Sequence, residues 1–228
     1  FSYFKHMVKD YPNFLTSSEI ESIKQEIYNL KKYWKHSSQY KNSHLLPYKN
    51  TPIIEVLKDQ YKAEYLLGDP LYRLEGCKED INLDTQLLLI HSFNWVYKKL
   101  LDKIQQITSI ETELETELTI PGFHIFASYL QPLNTFKYHV DTSILDFYPH
   151  IDITKIKSFV LLIEANGTTP CLDYKTGIKE YEFGTLHLWD GNIEHRIGEF
   201  EIKKGDSRIT LQGHYYYDPD TNTNKLFF

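Results

Sequence analysis

The sequence predicts a mainly β protein, an antiparallel sandwich or barrel of which the jelly roll is one type, buttressed by helices from its N-terminal half. Three observations carry this. Two stretches before Pro121 repeat apolar residues at helical spacing, whereas after Pro121 short runs rich in β-branched and aromatic residues alternate with Gly, Pro, Asn and Asp. Those later runs follow one another without helical crossovers, which favours antiparallel pairing. Aromatic residues form 15% of the 228 residues, including 18 Tyr and 13 Phe, so there is ample bulk to fill a core.

The first helix is read from TSSEIESIKQEIYNL. Thr16 stands three residues before Glu19, a capping-box spacing, and Ile20, Ile23, Ile27 and Leu30 recur at helical intervals. Residues 37–82 are irregular, with Pro47, Pro52, Gly68, Pro70 and Gly76 among Tyr, Leu and Lys; short elements and a pocket wall are both open readings. From Asp84, DTQLLLIHSFNWVYKKLLDKIQQI places Leu87, Ile90, Tyr97, Leu101 and Ile104 on one face, with Leu88 and Trp95 widening the stripe. This predicts a second, longer helix. The tandem ETELETEL at 111–118 is too short for a repeat architecture and reads as a solvated acidic connector. GFHIFASYL, KSFVLLIEA, EYEFGTLHLW and DSRITLQGHYYY then read as successive strands.

A formal net charge of −6 and a pI near 5.9 argue against a broad phosphate-binding face, so nucleic acid is disfavoured as a partner. No apolar run approaches the roughly 20 residues of a membrane span, and FSYFKHMVKDYP lacks the uninterrupted apolar core of a signal peptide. A soluble, cytoplasmic protein is expected. Cys77 and Cys171 lie far apart without Cys-x-x-Cys spacing, which suggests two buried thiols rather than a disulfide framework or a thiolate zinc site.

The chemistry starts from KYHVDTS. If His139 and Asp141 end a strand, their side chains share one side of the backbone, so an imidazole and a carboxylate can converge on one ion. A third ligand must come from a distant strand, and DGNIEHRIGEF offers His195. Two imidazoles and one carboxylate on one face of an ion leave the opposite face open, an arrangement associated with non-haem Fe(II) oxygenases and also compatible with zinc. In KKGDSRITLQGHYYY, Arg208, Thr210 and Gln212 alternate with Ser207, Ile209 and Leu211, so Arg208 and Thr210 face the same way. An inward guanidinium calls for a carboxylate or phosphate partner, which a dicarboxylic cosubstrate would supply.

In that order, YHVDT, GTLHLWDGNIEHRIGEF and KKGDSRITLQGH resemble the Fe(II)- and 2-oxoglutarate-dependent dioxygenases over residues 121 to 217, and YPNFLTSSEI resembles the start of prolyl-hydroxylase-like members. The resemblance implies a double-stranded β-helix, cupin-like, and iron on His139, Asp141 and His195. It further implies that Arg208 with Thr210 holds the far carboxylate of 2-oxoglutarate, and that the phenol of Tyr129 also holds this cosubstrate. The implied reaction consumes O₂, decarboxylates 2-oxoglutarate to succinate and hydroxylates a C–H bond of a small-molecule or peptidyl substrate. Because Asp141 fills the carboxylate position, hydroxylation is favoured over halogenation. The expected organisation is one domain over 1–228: a buttress at 1–120, a jelly-roll core at 121–217 and a C-terminal tail at 218–228.

Other histidines have plainer readings. His150 and Asp152 form a second His-x-Asp that reads as a surface loop, His124 and His187 sit in apolar strand contexts typical of core histidines, and His214 could support the site from behind. Two rival functions are a zinc or manganese cupin that needs no 2-oxoglutarate, and a non-catalytic binding module.

Overall fold

The computed structural model describes residues 8–36, 65–74, 76–126, 138–167, 170–198 and 205–228. The first half holds β1 (Val8–Tyr11), α1 (Ser17–Asn29), β2 (Lys35–His36), β3 (Tyr65–Leu67), α2 (Leu83–Thr108) and β4 (Thr112–Leu114). The second half holds β5 (Gly122–Phe126), β6 (Lys157–Ala165), β7 (Cys171–Tyr174), β8 (Gly177–Glu180), β9 (Leu186–Asp190), β10 (His195–Ile197), β11 (Arg208–Asp218) and β12 (Thr223–Phe227), with short 3-10 turns at Ser143–Asp146 and Ile153–Lys155.

The larger sheet runs β1-β9-β6-β11-β5-β3-β2, with β12 pairing β11 and β4. The smaller runs β10-β7-β8, and an antiparallel bridge between His139 and His195 extends it by one chain segment. Val160, Leu162 and Trp189 of the large sheet pack against Leu172 and Tyr174 of the small one. The two layers thus form a mainly β jelly roll with its helices outside. Strand alternation explains the layering: Phe159, Leu161, Ile163, Ile209 and Leu211 project from the opposite face of the large sheet and meet the helices.

Thr16 caps α1 as the spacing predicts, its Oγ1 accepting from the Glu19 N–H at 3.2 Å while Glu19 Oε2 accepts from the Thr16 N–H at 2.8 Å. Ile23 and Ile27 are buried against the sheet, and the other Glu19 oxygen takes the Lys99 ammonium of α2 at 2.7 Å. One residue therefore ends a helix and ties two helices together.

The face of α2 differs from the expectation. The buried stripe is Gln86, Leu89, Phe93, Val96, Tyr97, Leu100 and Ile104, while Leu87 is 65% and Trp95 39% exposed. Four consecutive apolar residues from Leu87 to Ile90 allow several stripes, and Phe93 leaves helical geometry (φ −122°, ψ 23°), which shifts the phase between the two halves. Packing against the sheet selects the stripe.

The acidic tandem also differs. Thr112–Leu114 is a strand parallel to β12, with Thr112 buried and Glu113 paired outward to Lys225. Glu115 is buried and accepts from the Tyr216 hydroxyl at 2.6 Å, so these carboxylates are built into a sheet edge rather than left as a solvated connector. Both cysteines are free thiols but only half-buried, not the buried pair expected. Among the described residues no helix is long and apolar enough to cross a membrane.

Candidate metal centre

His139 and His195 are brought together by backbone, not by side-chain packing. Each N–H donates to the other's carbonyl, at 2.8 and 2.9 Å, which makes them a hydrogen-bonded antiparallel pair whose side chains emerge on one side. Their ring centroids are 4.6 Å apart. Two residues on, the Asp141 N–H donates to the Gly191 carbonyl at 2.8 Å, fastening the carboxylate-bearing segment to the turn between β9 and β10. That turn requires glycine, since a Cβ at Gly191 would lie 2.8 Å from Ile156 Cγ2.

The result is one cluster. Asp141 Oδ1 is 3.6 Å from His139 Nε2, and Oδ2 is 3.3 Å from His195 Nε2. An ion about 2.0–2.2 Å from each donor would hold neighbouring donors roughly 3 Å apart, so modest closure seats a metal. All three ligating atoms fall within 4.8 Å of one another, and this is the sole group of that kind among the described residues. The donor set is two imidazole nitrogens and one carboxylate, without thiolate, which suits a first-row divalent ion. Burial alone would raise the Asp141 carboxyl, but the fields of His195, His214 and His139 and a hydrogen bond from Ser158 hold it below the usual carboxylate range. The carboxylate is thereby kept in its ligating form.

These side chains open on a cavity of roughly 410 Å³. Gln212 and His214 of β11 line it, and Thr210 and Arg208 continue the same row of the strand beyond that wall, both buried. Thr210 Oγ1 accepts from Gln212 Nε2 at 3.1 Å, so its own proton is available to a second acceptor. The Arg208 guanidinium stacks 5.5 Å over Phe126 and 5.7 Å over Tyr181, and Tyr181 also lines the cavity. Two further wall residues have buried nitrogens without a hydrogen-bond partner among the described residues, Trp189 Nε1 and His124 Nδ1. Trp189 stands edge-on to His195 at 5.4 Å, so it closes the core and borders the site at once.

Tyr129 lies outside the described residues. His150 is exposed and Asp152 accepts from the Thr154 N–H at 2.9 Å, capping a local turn, and neither belongs to the cluster. His187 takes Asp10 Oδ1 at 2.8 Å and ties β1 to β9, as a core histidine would. His124 bonds the Tyr72 hydroxyl at 3.1 Å, and burial pushes its imidazole down to about 3. Sequence reasoning missed Tyr72, which sits in the irregular 37–82 stretch with no local pattern, and Ser158, whose signal was a lone hydroxyl opening the apolar run KSFVLLIEA.

No protein-family model matches the chain, and no curated protein matches it. Among solved structures it is similar to a prolyl-4-hydroxylase from Pseudomonas putida, with 10% identity, 92% of each chain covered and a TM-score of 0.48. It is also similar to a prolyl hydroxylase from Trichoplax adhaerens in complex with a hypoxia inducible factor oxygen degradation domain peptide fragment, with 12% identity, 95% of this chain and 86% of that one covered, and a TM-score of 0.45. Both similarities are distant, and the functional reading below rests on this chain's own residues.

Proposed function

We propose that the protein is a non-haem Fe(II)- and 2-oxoglutarate-dependent oxygenase that hydroxylates a C–H bond of a small metabolite or an amino-acid side chain, free or peptidyl. The observation that carries this reading is the convergence of His139, Asp141 and His195 on one cavity whose β11 wall continues to Thr210 and Arg208. His139, Asp141 and His195 would hold Fe(II). Arg208 and Thr210 would hold the far carboxylate of 2-oxoglutarate, the guanidinium by charge-assisted hydrogen bonds and the hydroxyl by the proton that Gln212 leaves to it. Tyr129 is proposed from the sequence alone as a further donor to the same cosubstrate. When bound, iron and 2-oxoglutarate supply the activation of O₂ coupled to formation of succinate and CO₂.

The protein's own part is positional. The backbone pair of His139 and His195 fixes two donors on one side, and the exposed His139 marks the side from which substrate enters. Trp189, Tyr181 and Leu172 present apolar surface to the cavity and limit water there. Anaerobic addition of Fe(II) and 2-oxoglutarate tests the reading. A visible charge-transfer band is expected in the wild type, absent in His195→Ala and requiring far more 2-oxoglutarate in Arg208→Ala. A metal-loaded wild type without the band, or an Arg208→Ala variant with unchanged 2-oxoglutarate dependence, would move the assignment to a metalloenzyme that does not use this cosubstrate.

A further inference from the structure

Behind the candidate ligands lies a hydrogen-bonded chain through Ser158 and His214. Ser158, fully buried on β6, donates its hydroxyl to Asp141 Oδ2 at 2.5 Å. The same Oγ lies 2.9 Å from His214 Nδ1 on β11. A serine hydroxyl has one proton, and here the carboxylate takes it. The second contact must therefore run the other way, with His214 Nδ1–H donating to Ser158. This assigns the tautomer: in a neutral His214 the proton is on Nδ1 and Nε2 carries a bare lone pair. The ring rests on Phe227 at 5.1 Å and lines the cavity, and Nδ1 is also 3.7 Å from Asp141 Oδ2.

We infer that Ser158 and His214 are positioning residues for Asp141, and that the relay Nδ1–H to Oγ–H to Oδ2 sets His214 Nε2 as a hydrogen-bond acceptor on the cavity wall. The pairing is set by the sheet. Ser158 and His214 are partners in the β6–β11 register, so their side chains leave the same face side by side, and Asp141 arrives above them. Oδ2 is thereby tied down, which holds Oδ1 toward His139 Nε2, 3.6 Å away. The Nε2 lone pair would favour an occupant that brings an O–H or N–H to this wall. This inference rests on the metal reading of the triad only for the role of Asp141; the tautomer stands apart from it.

The test begins with the metal-free protein. Long-range proton–nitrogen NMR of the His214 ring should show Nδ1 protonated and Nε2 bare, and Ser158→Ala should release that preference. Titration with Co(II), followed by its visible spectrum, should show affinity falling about 10- to 100-fold in Ser158→Ala, the range for losing a group that orients a ligand. His214→Asn keeps a donor toward Ser158 and should retain most of the affinity that His214→Ala loses. A wild-type His214 protonated on Nε2 overturns the relay, whichever variants fold. Co(II) binding equal to wild type in a folded Ser158→Ala overturns the positioning role. A wild type that takes up no metal but shows the assigned tautomer overturns the triad reading and the positioning role while sparing the hydrogen-bond relay.

Discussion

His139 and His195 exchange both backbone hydrogen bonds across one antiparallel bridge, and the same bridge sets their imidazoles 4.6 Å apart. The geometry of the proposed metal ligands is therefore a property of the sheet. Pairing of this type keeps two side chains on one side at a near-fixed separation, and Asp141, two residues from His139, returns to that side.

Metal should then stabilise the fold, because its donors come from segments far apart in sequence. At a free concentration about 100 times its dissociation constant, Co(II) or Fe(II) under anaerobic conditions should add about 2.7 kcal/mol to unfolding stability, reversed by a chelator. Asp141→Asn should lose more than about 100-fold in metal affinity, beyond what loss of an orienting group costs. Thermal melts with and without metal check both; a wild-type melting temperature indifferent to metal would count against the centre.

Arg208 should be irreplaceable by lysine. Its guanidinium is buried and lies over the Phe126 ring at 5.5 Å and the Tyr181 ring at 5.7 Å, and a planar fork both stacks on rings and meets a carboxylate along two bonds, which an ammonium does not. Truncating a buried charged partner costs about 2–5 kcal/mol, so half-saturation by 2-oxoglutarate should rise at least roughly 30-fold in Arg208→Ala, and Arg208→Lys, which keeps the charge but not the fork, should move in the same direction. Equilibrium binding to the anaerobic iron form measures this directly, and a change under threefold would contradict it.

Stability should fall on acidification, and His124 should account for part of it. Burial depresses its folded pKa to about 3, below the 6.5 of an ordinary imidazole. The unfolded chain therefore binds the proton first, so the stabilisation is fully present above pH 6.5 and is lost as pH falls from there toward 3. The slope from this group approaches about 1.4 kcal/mol per pH unit within the window. Burial depresses His187 and His214 as well, adding in the same direction. Urea unfolding at pH 7 and pH 5 should give a smaller loss for His124→Gln than for wild type, and parallel losses would show that this residue is not the cause.

The two faces of α2 should differ sharply. Leu89→Ala empties a buried site against the sheet and should cost about 2–5 kcal/mol, whereas Leu87→Ala, at a position 65% exposed, should stay within about 0.5 kcal/mol. Chemical denaturation of the two variants decides which stripe faces the core.

By itself the sequence determined the features that are local or periodic. The Thr16–Glu19 cap needs three residues, and the strands KSFVLLIEA and DSRITLQGHYYY follow from composition and alternation. The residues that meet in the cluster, His139, Asp141 and His195, were legible because one pair shares a strand side and a single distant histidine follows in the right order. Arg208, Thr210, Gln212 and His214 were legible as one face of β11 because a strand repeats every two residues. Tertiary structure alone decided the rest. The burial of Leu89 over Leu87, the strand made from ETELETEL, the entry of Tyr72 into the cavity wall and the serine beneath Asp141 all depend on partners distant in sequence. Local patterns report which side chains share a face; which face is buried, and what it meets, is set by the free energy of packing the whole sheet against the helices.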